Sequence, residues 1–210
     1  ASAAAPFGAA NWRDLGRDPD PTLDAELEAR TAAVVPTDAA FIMYTSGTTG
    51  FPKGVVRNHL FLRNQVDRVR ILGTTELDIM YNYLPLFHIF GYLDGPMLSM
   101  ATGNKQILVE TFDPEACLDA VEAEGVSQFS GFETHMKSLV EAQKRHARDL
   151  SSLRIGIFGA GTNSAVPIMR EGLEVLKPFR PITAYGMTEI GGNACLSFMD
   201  SNDEQICETS

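Results

Sequence analysis

From Ala39 onward, short apolar runs alternate with longer stretches in which apolar residues recur every three or four positions. Residues 39–44, 78–83, 105–109, 126–129, 153–158 and 181–184 read as strands, the first of them as a buried one. Between them, 58–72 and 90–101 read as helices, the second an apolar one. A further helix opens at Asp113-Pro114-Glu115, which supplies an N-cap, a first-turn proline and a first-turn acid. Its apolar face is Cys117, Ala120 and Val121, and Gly125 is placed to end it. Met136, Leu139 and Val140 stripe the next helix, and Met169, Leu173 and Leu176 stripe the one after. Strands separated by helices predict an α/β fold, a mostly parallel sheet with helices on both faces. Ligands of such sheets gather at the carboxyl ends of the strands, so the loops there are where chemistry is expected.

The first 38 residues have a different texture and are expected to form a separate, loosely ordered acidic lead-in with one short helix near residues 23–30. The first 40 residues hold 7 acids and 3 bases. The α/β unit is expected to occupy 39–210. Over the whole chain, 27 acids against 17 bases leave a net charge of −10, which argues against nucleic acid as a partner. The 3 cysteines, Cys117, Cys195 and Cys207, are too few and too scattered for a disulfide framework or a cysteine-rich zinc site, and they suit a reducing cytoplasm. The most apolar stretch, 84–101, is interrupted by Pro85, His88, Asp94 and Pro96, so no transmembrane segment is expected. The start lacks the features of a signal peptide and an initiator Met, which suggests a piece cut from a longer protein.

Directly after the first strand comes Thr45-Ser46-Gly47-Thr48-Thr49-Gly50-Phe51-Pro52-Lys53-Gly54. Glycines let backbone N–H groups turn toward an anion, hydroxyls add donors, and Lys53 adds a mobile positive charge. A polyphosphate needs that inventory. The Walker order is excluded, because Lys53 is followed by Gly54-Val55-Val56, which looks like a returning strand, instead of a Ser or Thr that opens a helix. Arg57, Arg63, Arg68 and Arg70 follow, a run that either adds positive potential or forms a solvated helix face.

Tyr44 through Gly54 resembles the signature phosphate loop of the adenylate-forming superfamily: acyl-CoA synthetases, adenylation domains of peptide synthetases, and luciferases. Three further stretches, in the same order, are similar to that family's motifs. Leu84-Pro85-Leu86-Phe87-His88-Ile89-Phe90-Gly91-Tyr92 resembles the aromatic motif of the acyl pocket, which implies that Phe87, His88, Phe90 and Gly91 line it, with His88 beside the carboxylate. Gly159-Ala160-Gly161-Thr162 resembles the turn that lies flat against adenine, although Asn163 and the Gly-Ala-Gly order depart from the common form. Tyr185-Gly186-Met187-Thr188-Glu189 resembles the adenine and metal motif. The resemblance assigns Tyr185 to adenine, Thr188 to the α-phosphate and acyl carboxylate, and Glu189 to Mg²⁺. It makes Lys53, His88, Thr188 and Glu189 the catalytic set. Thr45, Ser46, Gly47, Thr48, Thr49, Gly50, Lys53, Gly159, Ala160, Gly161, Tyr185, Gly186 and Thr188 become the nucleotide contacts. Gly131, followed by Phe132, extends the substrate pocket.

The resemblance implies an ATP-dependent, AMP-forming acyl-CoA ligase, of fatty-acid type or for another carboxylate, with ATP and Mg²⁺ at the site and CoA as co-substrate, and the aromatic stretch suggests an apolar acyl substrate. It also implies a partial large subdomain, because the ribose-binding Thr-Gly-Asp turn, the hinge Arg and the lid Lys expected after Glu189 are not found. The fragment alone is then expected to be inactive and to self-associate. Two alternatives stand beside this reading: a noncatalytic nucleotide-binding fragment, and an adenylation domain of a peptide synthetase.

Overall fold

The computed structural model describes residues 22–46, 50–159 and 165–208. The chain divides into two units, residues 1–38 and residues 39–210. In the first, α1 (Thr22–Ala33) carries a Glu26–Arg30 ion pair one helical turn apart, and Asp38 accepts the Val35 N–H at 2.9 Å.

The second unit opens with β1 (Ala39–Thr45) and β2 (Lys53–Asn58), an antiparallel pair that forms a sheet of its own. The expectation that β1 is buried is corrected here. Only Met43 of the strand is buried, while Ile42 and Tyr44 are 55% and 70% exposed, because β1 pairs with β2 alone and is not enclosed in the larger sheet. The returning strand after Lys53 is present as expected. Then come α2 (Phe61–Leu72), β3 (Ile79–Asn82), α3 (Ile89–Tyr92), a π-helical turn (Leu93–Met97) and α4 (Leu98–Thr102). The sequence reads 90–101 as one helix, but Gly95 is non-helical. Pro96 disfavours helical geometry at the residue before it and donates no N–H of its own.

β4 (Lys105–Leu108), α5 (Pro114–Glu124), β5 (Gln128–Phe129), β6 (Gly131–Phe132), α6 (Glu133–Arg145), β7 (Ile155–Gly159), α7 (Ala165–Val175), β8 (Arg180–Met187), β9 (Gly192–Leu196) and α8 (Asp203–Glu208) follow. The Asp113 carboxylate caps α5 by accepting the Ala116 N–H at 2.8 Å, and Gly125 ends that helix in the left-handed region. The large sheet has the order β4-β3-β5-β7-β8-β9, with β6 paired beside the end of β7. Every pairing is parallel except β8 with β9, so the mostly parallel α/β sheet read from the sequence is the one observed.

The helical stripes close the core. Met136, Leu139, Val140, Met169, Leu173 and Leu176 are all buried, against Phe129, Phe158 and Phe179, whose rings meet in sequence at 5.9 and 5.8 Å. At the amino ends of β3, β5 and β7 the Asp78 carboxylate joins Arg154 Nη2 (2.9 and 3.0 Å) and Ser127 Oγ (2.7 Å). Arg154 also donates to the Leu72 and Gly73 carbonyls. This network secures one end of the sheet and leaves the carboxyl ends to loops.

Two substitutions test this packing. A Cβ on Gly156 would overlap the Phe129 carbonyl across the β5–β7 step, and backbone cannot swing aside. Gly156→Ala should therefore cost about 3 kcal/mol or more in urea unfolding, above the usual overpacking penalty for movable side chains. His135 is half-buried, its imidazole pKa is lowered by burial, and its Nδ1 accepts the Phe132 N–H at 3.1 Å. As pH falls below the ordinary histidine value, the unfolded chain takes up a proton that the folded ring resists, so stability drops. His135→Gln, which keeps an acceptor but cannot titrate, should flatten that acid limb in pH-dependent melts.

Candidate active site

Three adjacent strand ends form the floor of the site. Register places Phe132 of β6 beside Gly159 of β7, and Gly159 beside Ala184 of β8. β8 then runs three residues further, Tyr185 to Met187, and is held beyond the sheet edge by antiparallel pairing with β9. After it, Thr188–Ile190 form a 3-10 turn closed by the Gly191 N–H donating to the Thr188 carbonyl at 3.1 Å. Gly191 and Gly192 have φ of 87° and 97°, the left-handed region that side chains resist. That pair lets the chain reverse directly into β9.

Over this floor lies a cavity of about 490 Å³. It is lined by Thr45 and Ser46, at and just after the end of β1, and by Tyr185, Gly186, Met187, Thr188 and Glu189. His88, Phe90, Phe132 and Gly159 complete the part expected from the sequence. Four motifs far apart in the chain thus meet around one space. Tyr185 is 57% exposed, so its ring is available to a planar ligand, whereas Thr188 is buried and fixed.

His88 caps α3: its Nδ1 accepts the Phe90 N–H at 3.2 Å. In the neutral ring the proton then sits on Nε2, which makes that nitrogen a donor. Phe90 and Phe132 meet edge to face at 5.5 Å and give the cavity an apolar wall. The lining thus combines hydroxyls and a carboxylate with aromatic carbon.

Several expected residues are elsewhere. Phe87 is 83% exposed and lines a separate groove of about 390 Å³ with Phe41, Ile42, Met43, Tyr44, Leu86 and Tyr92. Gly91 packs directly beneath the Leu84 and Pro85 carbonyls, and Gly131 lies against the Tyr83 hydroxyl and His135. Gly50 and Lys53 are exposed at the hairpin, with Lys53 paired across from Thr45. Gly47, Thr48, Thr49, Ala160 and Gly161 lie outside the described residues. Ile89, Met187, Gly192 and Asn193 line the cavity without having been singled out. β9, which carries two of them, is short and antiparallel and gives no apolar run to mark it.

The basic run also resolves. Arg68 is buried with Asp94 at 3.0 Å, Arg70 pairs with Asp67 at 3.4 Å, and Arg57 donates to the Glu189 carbonyl at 3.0 Å. Arg57 and Arg68 are thus engaged in specific contacts, whereas Arg70 is exposed with Asp67, and Arg63 is exposed, as a solvated helix face would have them. As for a metal, no cluster of three or more His, Cys, Asp or Glu occurs among the described residues. Glu189 is exposed at the cavity as a single carboxylate. That donor set fits a hard cation only when phosphate oxygens supply most of its ligands, as Mg²⁺ on a nucleotide does.

Residues 5–209 match the family of AMP-binding enzymes. An octahydroindenyl-propanoyl:CoA ligase of Mycobacterium tuberculosis is 39% identical over 171 residues, covering 81% of this chain and 33% of the ligase. The 2-succinylbenzoate–CoA ligase of Bacillus subtilis is 35% identical over 170 residues, covering 79% of this chain and 33% of its own length. A solved structure of O-succinylbenzoate coenzyme A synthetase from Bacillus subtilis, in complex with ATP and magnesium ion, superimposes with a TM-score of 0.69 at 30% identity. It covers 79% of this chain and 34% of that one. The chain thus spans about a third of the length of these relatives. Agreement over nearly all of its residues, and not any single loop, makes this chain a member of the AMP-binding enzyme family.

Proposed function

We propose that the complete protein is an ATP-dependent acyl-CoA ligase, which converts a carboxylate and ATP to an acyl adenylate and pyrophosphate, then transfers the acyl group to CoA. The observation that carries this reading is a single cavity lined together by Thr45 and Ser46, by Tyr185 to Glu189, and by the rings of Phe90 and Phe132. The named activities of the relatives, CoA ligases each, support it.

In the first step the substrate carboxylate oxygen attacks the α-phosphorus and the bond to pyrophosphate breaks. The carboxylate is its own nucleophile, so the protein's work is positioning and charge stabilisation. Tyr185 offers its exposed ring to adenine, beside Gly159 at the end of β7. The loop from Thr45 through Lys53 takes the β- and γ-phosphates. The Thr188 hydroxyl donates to the α-phosphate oxygen as charge develops there. Glu189 would hold Mg²⁺ together with the nucleotide, a cation that would supply neutralisation of phosphate charge. His88 donates from Nε2 to the carboxylate and orients it, while the apolar remainder lies along Phe90 and Phe132. In the second step the CoA sulfur attacks the acyl carbon, AMP leaves, and the thiol proton passes to solvent. None of Cys117, Cys195 or Cys207 is required.

Exchange of labelled pyrophosphate into ATP, run on the complete protein with a panel of apolar and aromatic carboxylates, tests the reading. Carboxylate-dependent exchange followed by thioester formation supports it, and exchange with none of the panel argues for a noncatalytic nucleotide-binding role. Two variants separate the assigned roles. Glu189→Gln should lower the exchange kcat by about 10²-fold with unchanged thermal unfolding. Tyr185→Ala should raise the KM for ATP by about 10-fold, the scale of a lost aromatic–base stack, with little change in the KM for the carboxylate.

A further inference from the structure

The turn that presents Thr188 and Glu189 is braced by two guanidinium groups that occupy the places where its glycines lack side chains. Arg57 of β2 donates from Nη1 to the Glu189 backbone carbonyl at 3.0 Å, and a Cβ on Gly191 would overlap its Nη2. Arg68 of α2 lies next along the same turn. Its Nη2 stands 3.0 Å from where a Cβ on Gly192 would be. Arg68 itself is immobilised. Its Nη1 meets Asp94 at 3.0 Å, in a pair whose side chains are only 6% and 2% exposed. With the Gln65 amide turned to the orientation its neighbours require, its oxygen accepts from Arg68 Nη1 (3.2 Å) and its nitrogen donates to the Leu93 carbonyl (3.0 Å), which bridges Arg68 to the π-helical turn.

Arg57 also belongs to the phosphate-loop hairpin. Lys53 and Arg57 lie on one strand, four residues apart and therefore on one face of it. One end of β2 thus carries the loop lysine, and the other grips the turn that carries the carboxylate. Arg57 binds the carbonyl of Glu189 and leaves its carboxylate unengaged by this contact. Such a contact fixes where the group sits without neutralising it.

We propose that Arg57, backed by the Arg68–Asp94 pair, is a positioning residue for adenylation: it sets the distance between the phosphate loop and the Thr188–Glu189 turn. This rests on the reading of the site as an adenylation centre. The separation of the two elements determines whether the α-phosphate lies in line between carboxylate and pyrophosphate, and a displacement of about 1 Å suffices to lose about 10²-fold in rate.

The test uses the complete protein with Arg57→Ala, Arg57→Lys and, as reference, Glu189→Gln. Hydrogen exchange reads the turn directly. In Arg57→Ala, amides of residues 188–192 should exchange at least about 10-fold faster while the core strands and the thermal midpoint are unchanged. Pyrophosphate exchange should lose about 10- to 100-fold in kcat with the carboxylate KM unaltered, a split that a merely structural residue would not produce. Arg57→Lys keeps the charge but not the planar fork, and should recover only part of both. Should Arg57→Ala fail to fold, Arg57→Lys carries the same two readings in reduced form. Wild-type amide exchange in the turn overturns the proposal. A loosened turn with full kcat, where Glu189→Gln is impaired, overturns it as well. If Glu189→Gln is fully active, the adenylation reading fails instead, and the brace is then judged on amide exchange alone.

Discussion

β8 is the strand on which the rest depends, because it is hydrogen-bonded on both sides but in opposite senses. Parallel pairing with β7 fixes Ala184 beside Gly159, and antiparallel pairing with β9 carries Tyr185, Gly186 and Met187 beyond the point where the parallel sheet ends. A purely parallel edge would leave those three residues as an unpaired loop. Here they are sheet, and the turn that follows inherits their rigidity. Side chains that must act on one reacting centre have to be held within a fraction of an ångström. Extending one strand past its neighbours is an economical way to do that.

The charged groups divide along the same axis. At the amino end of the sheet, Asp78, Ser127 and Arg154 satisfy one another and join three strands. At the carboxyl end Thr188 and Glu189 line the cavity, and Glu189 is held through its backbone. Between the two, burial pushes the Asp94 carboxyl up to about 6, opposed by the Arg68 guanidinium 3.0 Å away. The ion pair adds little net stability once the desolvation of both charges is counted, but removing one partner leaves a buried, uncompensated charge.

Much of this was legible because its physics is local. An N-cap, a first-turn proline and a glycine stop define α5 within a dozen residues, and helical stripes foretell which of Met136, Leu139, Met169 and Leu176 meet the core. Thr45 and Ser46 stand out through composition, as hydroxyls in a glycine-rich stretch between a strand and a lysine, and both line the cavity. What escaped depends on partners distant in the chain. β1 looks apolar enough for a core strand, yet its exposure follows from pairing only with β2. β9 gives no apolar run, because its backbone pairing with β8 specifies it more than its side chains do. Phe87 and Phe90 are equally aromatic and three residues apart, but only Phe90 turns toward Phe132 and the cavity. The roles of Arg57 and Arg68 could not be read from a run of basic residues, since each is defined by a contact more than twenty residues away.

The central claim is that motifs separated by more than a hundred residues form a single adenylation cavity at the carboxyl ends of β7 and β8. A crystal structure of the complete protein with a non-hydrolysable acyl-adenylate analogue tests it most directly. The account requires adenine against Tyr185 and Gly159 at the end of β7, the phosphate within hydrogen-bond reach of Thr188, and the acyl group along His88, Phe90 and Phe132. An analogue seated instead in the groove ringed by Phe41, Phe87 and Tyr92, or bound without contact to the Tyr185–Glu189 segment, would contradict it.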